Sequence, residues 1–221
     1  MKHDSTNKTA NIFKLINHSF IALTICSSAT TALSQDGMSA SNRQNKQALV
    51  AAEVIGLTMF PVSGIRAGYF VDSNLIAEIG FASGSATIND DWKINKTVIE
   101  AKARYFFGNS FYVSGGLGTE SFAVDYPVVT QLDEAGLVSK QFSADVNSFG
   151  INTHIGNQWQ WEGFMIGVDW LGYYLPLSKS SSFKADSDVS AEAKKIEEDD
   201  IKSTYESASL HLTRFYMGWA F

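Results

Sequence analysis

The chain has one cysteine, three prolines and, beyond its first 34 residues, no run of about 18 to 20 uncharged apolar residues. The cysteine, Cys26, lies inside a strongly biased N-terminal stretch. If that stretch is removed, no thiol is left, which excludes disulfides, thiol catalysis and cysteine-ligated metal. The lack of a long apolar run excludes a helical membrane protein. It does not exclude a membrane barrel, whose strands hide their apolarity by alternation. Positive charge is also scarce: 17 Lys and Arg stand against 23 Asp and Glu, and no K/R-rich run occurs, so nucleic acid is not an expected partner. Hydrophobic residues make up 45% of the chain and aromatic residues 13%, which excludes a disordered protein.

The first segment is set apart by Lys2, Lys8 and Lys14, followed by the apolar SFIALTICSSATTALS. A basic start, a short apolar stretch and a small-x-small ending at Ala32-Leu33-Ser34 read as a secretory signal peptide over residues 1–34. Lipoprotein processing at Cys26 is disfavoured by Ile25, which is not small. Cleavage after Ser34 removes three lysines and Asp4 and leaves 14 basic and 22 acidic residues, net −8. Residues 35–46, QDGMSASNRQNK, are expected to be a polar, exposed leader, and residues 47–221 the folded domain.

In that domain the hydrophobic period is two. In IEAKARYFF, Ile99, Ala101, Ala103, Tyr105 and Phe107 alternate with Glu100, Lys102, Arg104 and Phe106, so a strand would be apolar on one face and charged on the other. SGIRAGYFV, NLIAEIGF, FGINTHIG and FMIGVDWLGYY repeat the pattern. Eight strands are expected near 47–59, 62–71, 74–88, 95–107, 111–124, 145–156, 163–175 and 204–221. Several reach the ~9 to 11 residues that a tilted strand needs to cross a bilayer, against about 5 to 6 for soluble strands.

The connections alternate in kind. Residues 72–74, 108–110 and 157–163 form short turns, whereas 89–94, 125–144 and 176–203 are longer and polar. Pro61, Pro127 and Pro176 all fall on the long-loop side, at expected strand ends. Phe107, Phe111, Tyr112, Trp159, Trp161, Phe164, Trp219 and Phe221 gather towards the short-turn side, as an interfacial aromatic girdle would. The fold class expected is all-β, an eight-stranded antiparallel up-and-down transmembrane β-barrel. A soluble, lipocalin-like periplasmic binder is the alternative, but Gly64, Gly68, Gly80, Gly116, Gly118, Gly150, Gly156 and Gly167 fall mainly on the polar face, which suits a crowded interior.

The segment RYFFGNSFYVSGGLG, residues 104–118, resembles the strand–turn–strand unit of the small outer-membrane β-barrel proteins of Gram-negative bacteria, the superfamily that includes the eight-stranded OmpA, OmpX and OmpW types. The terminal RFYMGWAF resembles their assembly signal, with Trp219 and Phe221 at its two aromatic positions, Arg214 as its polar residue, and Tyr216 where a glycine is usual. The resemblance implies an outer-membrane location and contact with outer-membrane lipids, periplasmic chaperones and the barrel-assembly machinery. It implies a structural, small-solute transport or surface-interaction role without enzymatic activity.

The inward face would carry Glu53, Arg66, Glu78, Glu100, Lys102, Arg104, Glu120, His154, Asp169 and Arg214. Charges taken out of water must pair, so these residues are expected to knit and plug the interior rather than to form a polar conduit. An outer-membrane lipid-modifying enzyme is the alternative, resting on Ser209 and His211 on one face of the last strand with Glu206 nearby. No catalytic residue, metal site or cofactor is assigned. Residues 125–144 and 176–203 are the candidate surfaces for an extracellular ligand, the latter with a short helix in SAEAKKIEEDDIK. Counting back from Phe221 breaks phase near residues 210–214, where either a β-bulge or inward leucines are needed.

Overall fold

A computed structural model of the chain describes residues 38–55, 62–88, 92–133, 136–186, 189–205 and 208–221. The expected signal peptide with Cys26 and its cleavage site, Pro61 and Glu206 lie outside the described residues. The strands are β1 Ala48–Ile55, β2 Val62–Phe70, β3 Leu75–Ile88, β4 Trp92–Phe106, β5 Phe111–Asp133, β6 Gly136–Trp161, β7 Phe164–Ala185 and β8 Ser209–Ala220. Helix α1 is Met38–Arg43 and helix α2 is Ala191–Tyr205. Each strand pairs antiparallel with its chain neighbours, and β8 returns to β1 from Leu49↔Ala220 to Ile55↔Arg214, closing an eight-stranded transmembrane β-barrel. Closure is what permits strands in lipid, because it leaves no ladder group of the wall unpaired.

The wall is inverted relative to a soluble barrel. Outward residues are large and apolar, with Ile65 63%, Ile79 65% and Met217 58% exposed, while Arg66, Glu78 and Arg104 are buried. In β4 the alternation is complete from Val98 to Phe106, as the IEAKARYFF pattern requires. The outward face turns polar along one line of rungs. The row Ile65, Phe81, Ile99, Thr119 and Phe149 is followed towards the long loops by its neighbour Ser63, Ser83, Thr97, Ser121 and Asn147, matched strand to strand. The apolar band is therefore written into the register and not only into each strand.

Several expectations are corrected. The segments 125–144 and 176–203 are not mainly loops: β5, β6 and β7 continue through much of them as a tall three-stranded extension, and α2 follows. Pro127 and Pro176 thus lie within strands. Pro127 is beyond the last β4 rung at Asp125, and Pro176 is beyond the last β8 rung at Tyr174, so each sits on an edge where a missing N–H costs nothing on the open side. The turn expected over 157–163 is only Glu162-Gly163, and Asn157, Gln158 and Gln160 are buried instead. Tyr112 is not a girdle residue but a fully buried interior one. The leader is not wholly exposed, since Ser39 and Arg43 of α1 are buried.

The phase break resolves as a slip in the backbone. β7 bulges at Trp170, where Ile155 pairs with Leu171 and Gly156 with Asp169. β8 answers at Thr213, whose φ of 48 is left-handed, and the register with β7 resumes at Leu171↔Leu212. Below the slip Phe215, Met217 and Trp219 face outward; above it Leu210 does. The paired irregularities let both strands change phase together without changing partners.

Tyr216, at the position where the resemblance has a glycine, is accommodated by a glycine across the ladder. Its rung partner is Gly167, where an added Cβ would fall 1.9 Å from the Tyr216 ring carbon Cζ. The ring lies flat over the glycine, an arrangement that fixes register. Gly167→Ala is expected to push the ring out and cost about 1–3 kcal/mol. The measurement is the urea midpoint of the detergent-folded protein, with Gly115→Ala as the tolerated control because nothing lies closer than 3.8 Å to its new Cβ.

Candidate functional site

The feature with the highest concentration of chemistry is the barrel interior. Strand parity places its parts: Glu53 on β1, Arg66 on β2, Glu78 on β3, Glu100, Lys102 and Arg104 on β4, Asp169 on β7 and Arg214 on β8, all buried. Four cations, Arg66, Lys102, Arg104 and Arg214, face four anions, Glu53, Glu78, Glu100 and Asp169. The formal charges of this layer cancel.

The pairs are close. Arg66 Nε donates to Glu53 Oε2 at 2.9 Å, and its Nη2 also contacts this oxygen. Arg104 lies 2.8 Å from Glu78, and Lys102 donates to Glu100 Oε1 at 2.6 Å. Arg214 binds the same Glu100 oxygen and stands 3.6 Å from Asp169 and 3.8 Å from Glu53, so it links three carboxylates. Arg66 also reaches Asp169 at 3.6 Å. Tyr112 donates to Asp169, and Arg104 donates to Tyr216 Oη at 2.6 Å and Gln158 Oε1 at 2.5 Å. The Tyr216 ring is shared by two guanidinium groups, Arg66 at 4.1 Å and Arg104 at 4.8 Å.

Both ends of this layer are filled. Towards the short turns, Leu49, Ala51, Phe70, Ile76, Phe106, Tyr112, Met165, Tyr216 and Ala220 form an apolar cluster inside the barrel. Arg43 of α1 covers it, its guanidinium 3.9 Å over the Phe106 ring. It donates to the carbonyls of Ser73 at 2.8 Å, Asn109 at 2.7 Å and Gly108 at 3.2 Å, tying two turns together. Burial lowers its pKa from the ordinary arginine value to about 10, which leaves it a cation at neutral pH. On the opposite side, Ile94, Val124, Tyr126, Phe142, Ala144, Val146 and Ile201 of α2 form a second apolar cluster within the tall extension.

Glu120 and His154 belong to an upper layer and not to the main network. Glu120 pairs with Lys96 at 3.3 Å and with His211 Nε2 at 3.0 Å. Ser209 Oγ lies 3.2 Å from this same His211 nitrogen. A Ser–His–carboxylate relay needs the hydroxyl and the carboxylate on different ring nitrogens, so these three side chains are not arranged as one. Trp219 and Phe221 of the expected assembly signal are exposed, whereas Arg214 is an interior residue. The end of the chain is held by β1: the Phe221 carbonyl accepts from Gln47 N at 2.8 Å and Ala48 N at 3.0 Å.

Sequence reasoning missed Lys96, Tyr112, Gln158, Tyr216 and Arg43. Lys96 and Tyr216 were within reach, because they share parity with Glu100 and Arg214. Gln158 was not, because a register shift at Ile155/Gly156 resets the phase between it and His154.

An inverted eight-stranded wall around a charge-cancelled core is the construction of the small outer-membrane β-barrels. No protein-family model matches the chain. No curated protein matches it either. Among solved structures, the fold is similar to CarO2 of Acinetobacter baumannii at a TM-score of 0.51 and 10% identity, covering 80% of this chain and 100% of that one. CarO of the same organism aligns at a TM-score of 0.48 and 15% identity, over 80% and 98% of the two chains. The N-terminal β-barrel domain of Pseudomonas aeruginosa OprF gives a TM-score of 0.43 and 15% identity, over 80% and 98%. At these identities the likeness is one of fold.

Arg104→Ala strands Glu78 in the core and is expected to cost about 3–5 kcal/mol, while Arg104→Met with Glu78→Met recovers most of it. A double-mutant cycle in urea on the detergent-folded protein measures both.

Proposed function

We propose that the chain is an exported outer-membrane β-barrel protein whose role is structural and surface-interacting, not enzymatic. The observation that carries this reading is the filled interior: the charges of the main layer cancel, and apolar clusters occupy the barrel on both sides of that layer. A passage for solutes would need a continuous polar path, and this packing supplies contacts in its place. Among the three roles the resemblance implies, wall and surface are therefore favoured over small-solute transport.

The exposed apolar rows meet outer-membrane lipid, and the exposed Trp219 and Phe221 are the groups that periplasmic chaperones and the barrel-assembly machinery would read. The extension of β5, β6 and β7 with α2 is the surface available to an extracellular ligand. It is built as a sheet with its own small apolar core, and such a platform holds a recognition surface more rigidly than a bare loop. Residues 1–34 supply export as a cleaved signal.

Two measurements test the reading. The mature protein is expected in the outer-membrane fraction and to migrate differently on a gel before and after boiling; a freely soluble product overturns the proposal. Folded protein inserted in a planar bilayer at neutral pH is expected to show no steady conductance steps, and a stable ohmic channel overturns the choice of wall over transport.

A further inference from the structure

Two histidines meet above the main charge layer. His154 of β6 and His211 of β8 are both rung partners of Gly172 on β7, and their ring centroids are 6.3 Å apart. Glycine is required between them: a Cβ at position 172 would fall 2.3 Å from His154 Cδ2 and 3.2 Å from His211 Cβ. His154 is 2% exposed, and neither of its ring nitrogens has a hydrogen-bond partner among the described residues.

The segment that carries His211 is weakly attached. β1 pairs with β8 only as far as Arg214, so among the described residues Ser209–Leu212 is held by β7 alone, through four rungs. Those rungs begin just past the Trp170 bulge and the left-handed Thr213. On the other side, this segment follows α2, whose Ile201 packs into the upper apolar cluster.

We propose that His154 and His211 form an acid-operated latch, in which protonation of both rings frees the Ser209–Leu212 end of β8 by rotation about Thr213. Imidazole is the side chain whose ordinary charge change falls between pH 5 and 8. A proton on each ring places two cations face to face across Gly172. His211 then has Glu120 at 3.0 Å, and Glu120 is already shared with Lys96. Ser209 and the Tyr174 ring, from β8 and β7, complete its surroundings. His154 is in the field of Lys102 and Glu100 on β4, Arg214 on β8 and Asp169 on β7, and Ser114 of β5 is its rung partner. Those four charged groups already sum to zero, so a proton on His154 is an uncompensated addition. The movable element is the one-sided strand end, because His154 stands on a strand paired on both sides.

The test is hydrogen exchange of the backbone amides of Ser209–Leu212 in the full mature chain in detergent micelles, corrected for the intrinsic pH dependence of exchange. Protection is expected to fall about tenfold between about pH 7.5 and about pH 5, with amides of Phe215–Ala220 unchanged over the same range. His154→Gln is expected to flatten the profile. His211→Gln, at the strand end, is expected to do the same and serves if the first variant does not fold. A wild-type profile that is flat, a loss spread evenly over β8, or an undiminished loss in either folded variant overturns the latch.

Discussion

The structure depends on one electrostatic constraint: a charge withdrawn from water in this narrow interior must find its opposite at contact distance. Eight strands enclose a space that side chains fill, so there is no room for the long polar groups of β1, β2, β3, β4, β7 and β8 to be hydrated separately. Arg214, reaching Glu100, Asp169 and Glu53, and Arg66, reaching Glu53 and Asp169, tie strands on opposite sides of the wall. These contacts are made only when the register is right. A one-residue slip of any strand would send its charged set into lipid and its apolar set into the charge layer. The network therefore selects the topology as much as it stabilises it.

The outer surface follows from the same requirement. Once the polar groups are committed inward, alternation leaves the apolar residues facing out, and only a bilayer makes so large an apolar face tolerable. The boundary between the Ile65–Phe149 row and the Ser63–Asn147 row shows that neighbouring strands agree on where that face stops. Above it, β5, β6 and β7 continue with a separate apolar cluster. One chain thus alternates its inside three times along its length: apolar near the short turns, charged in the middle and apolar again in the extension.

Most of this was legible where the period of two is unbroken. The IEAKARYFF stretch fixed β4, the faces of Glu100, Lys102 and Arg104, and by analogy their partners on β2 and β3. The sequence reading failed where periodicity resets or carries no signal. Bulges at Trp170 and near Gly156 change phase without a glycine–proline marker, so Gln158 could not be assigned to a face. Strand ends were misplaced because Pro127 and Pro176 look like terminators, yet an edge strand with an open side accepts them. Arg43 was missed because its partners are main-chain carbonyls of two turns, which leave no mark in side-chain patterning.

The two ends of the barrel differ in how firmly they are held, and the sequence departures account for it. At the short-turn end, Tyr216 replaces a glycine, and the opposing Gly167 turns that change into a ring shared by Arg66 and Arg104. Arg43 adds a cap, and Phe221 bonds back to β1 on both its N–H and its carbonyl. At the other end, β8 passes a left-handed residue and loses β1 as a neighbour, among the described residues. Stability in folded proteins is distributed according to such local attachments, and the least attached segment opens first. The wall is anchored from its short-turn side, which leaves the outer end of its closing strand as the part of the barrel with freedom to respond.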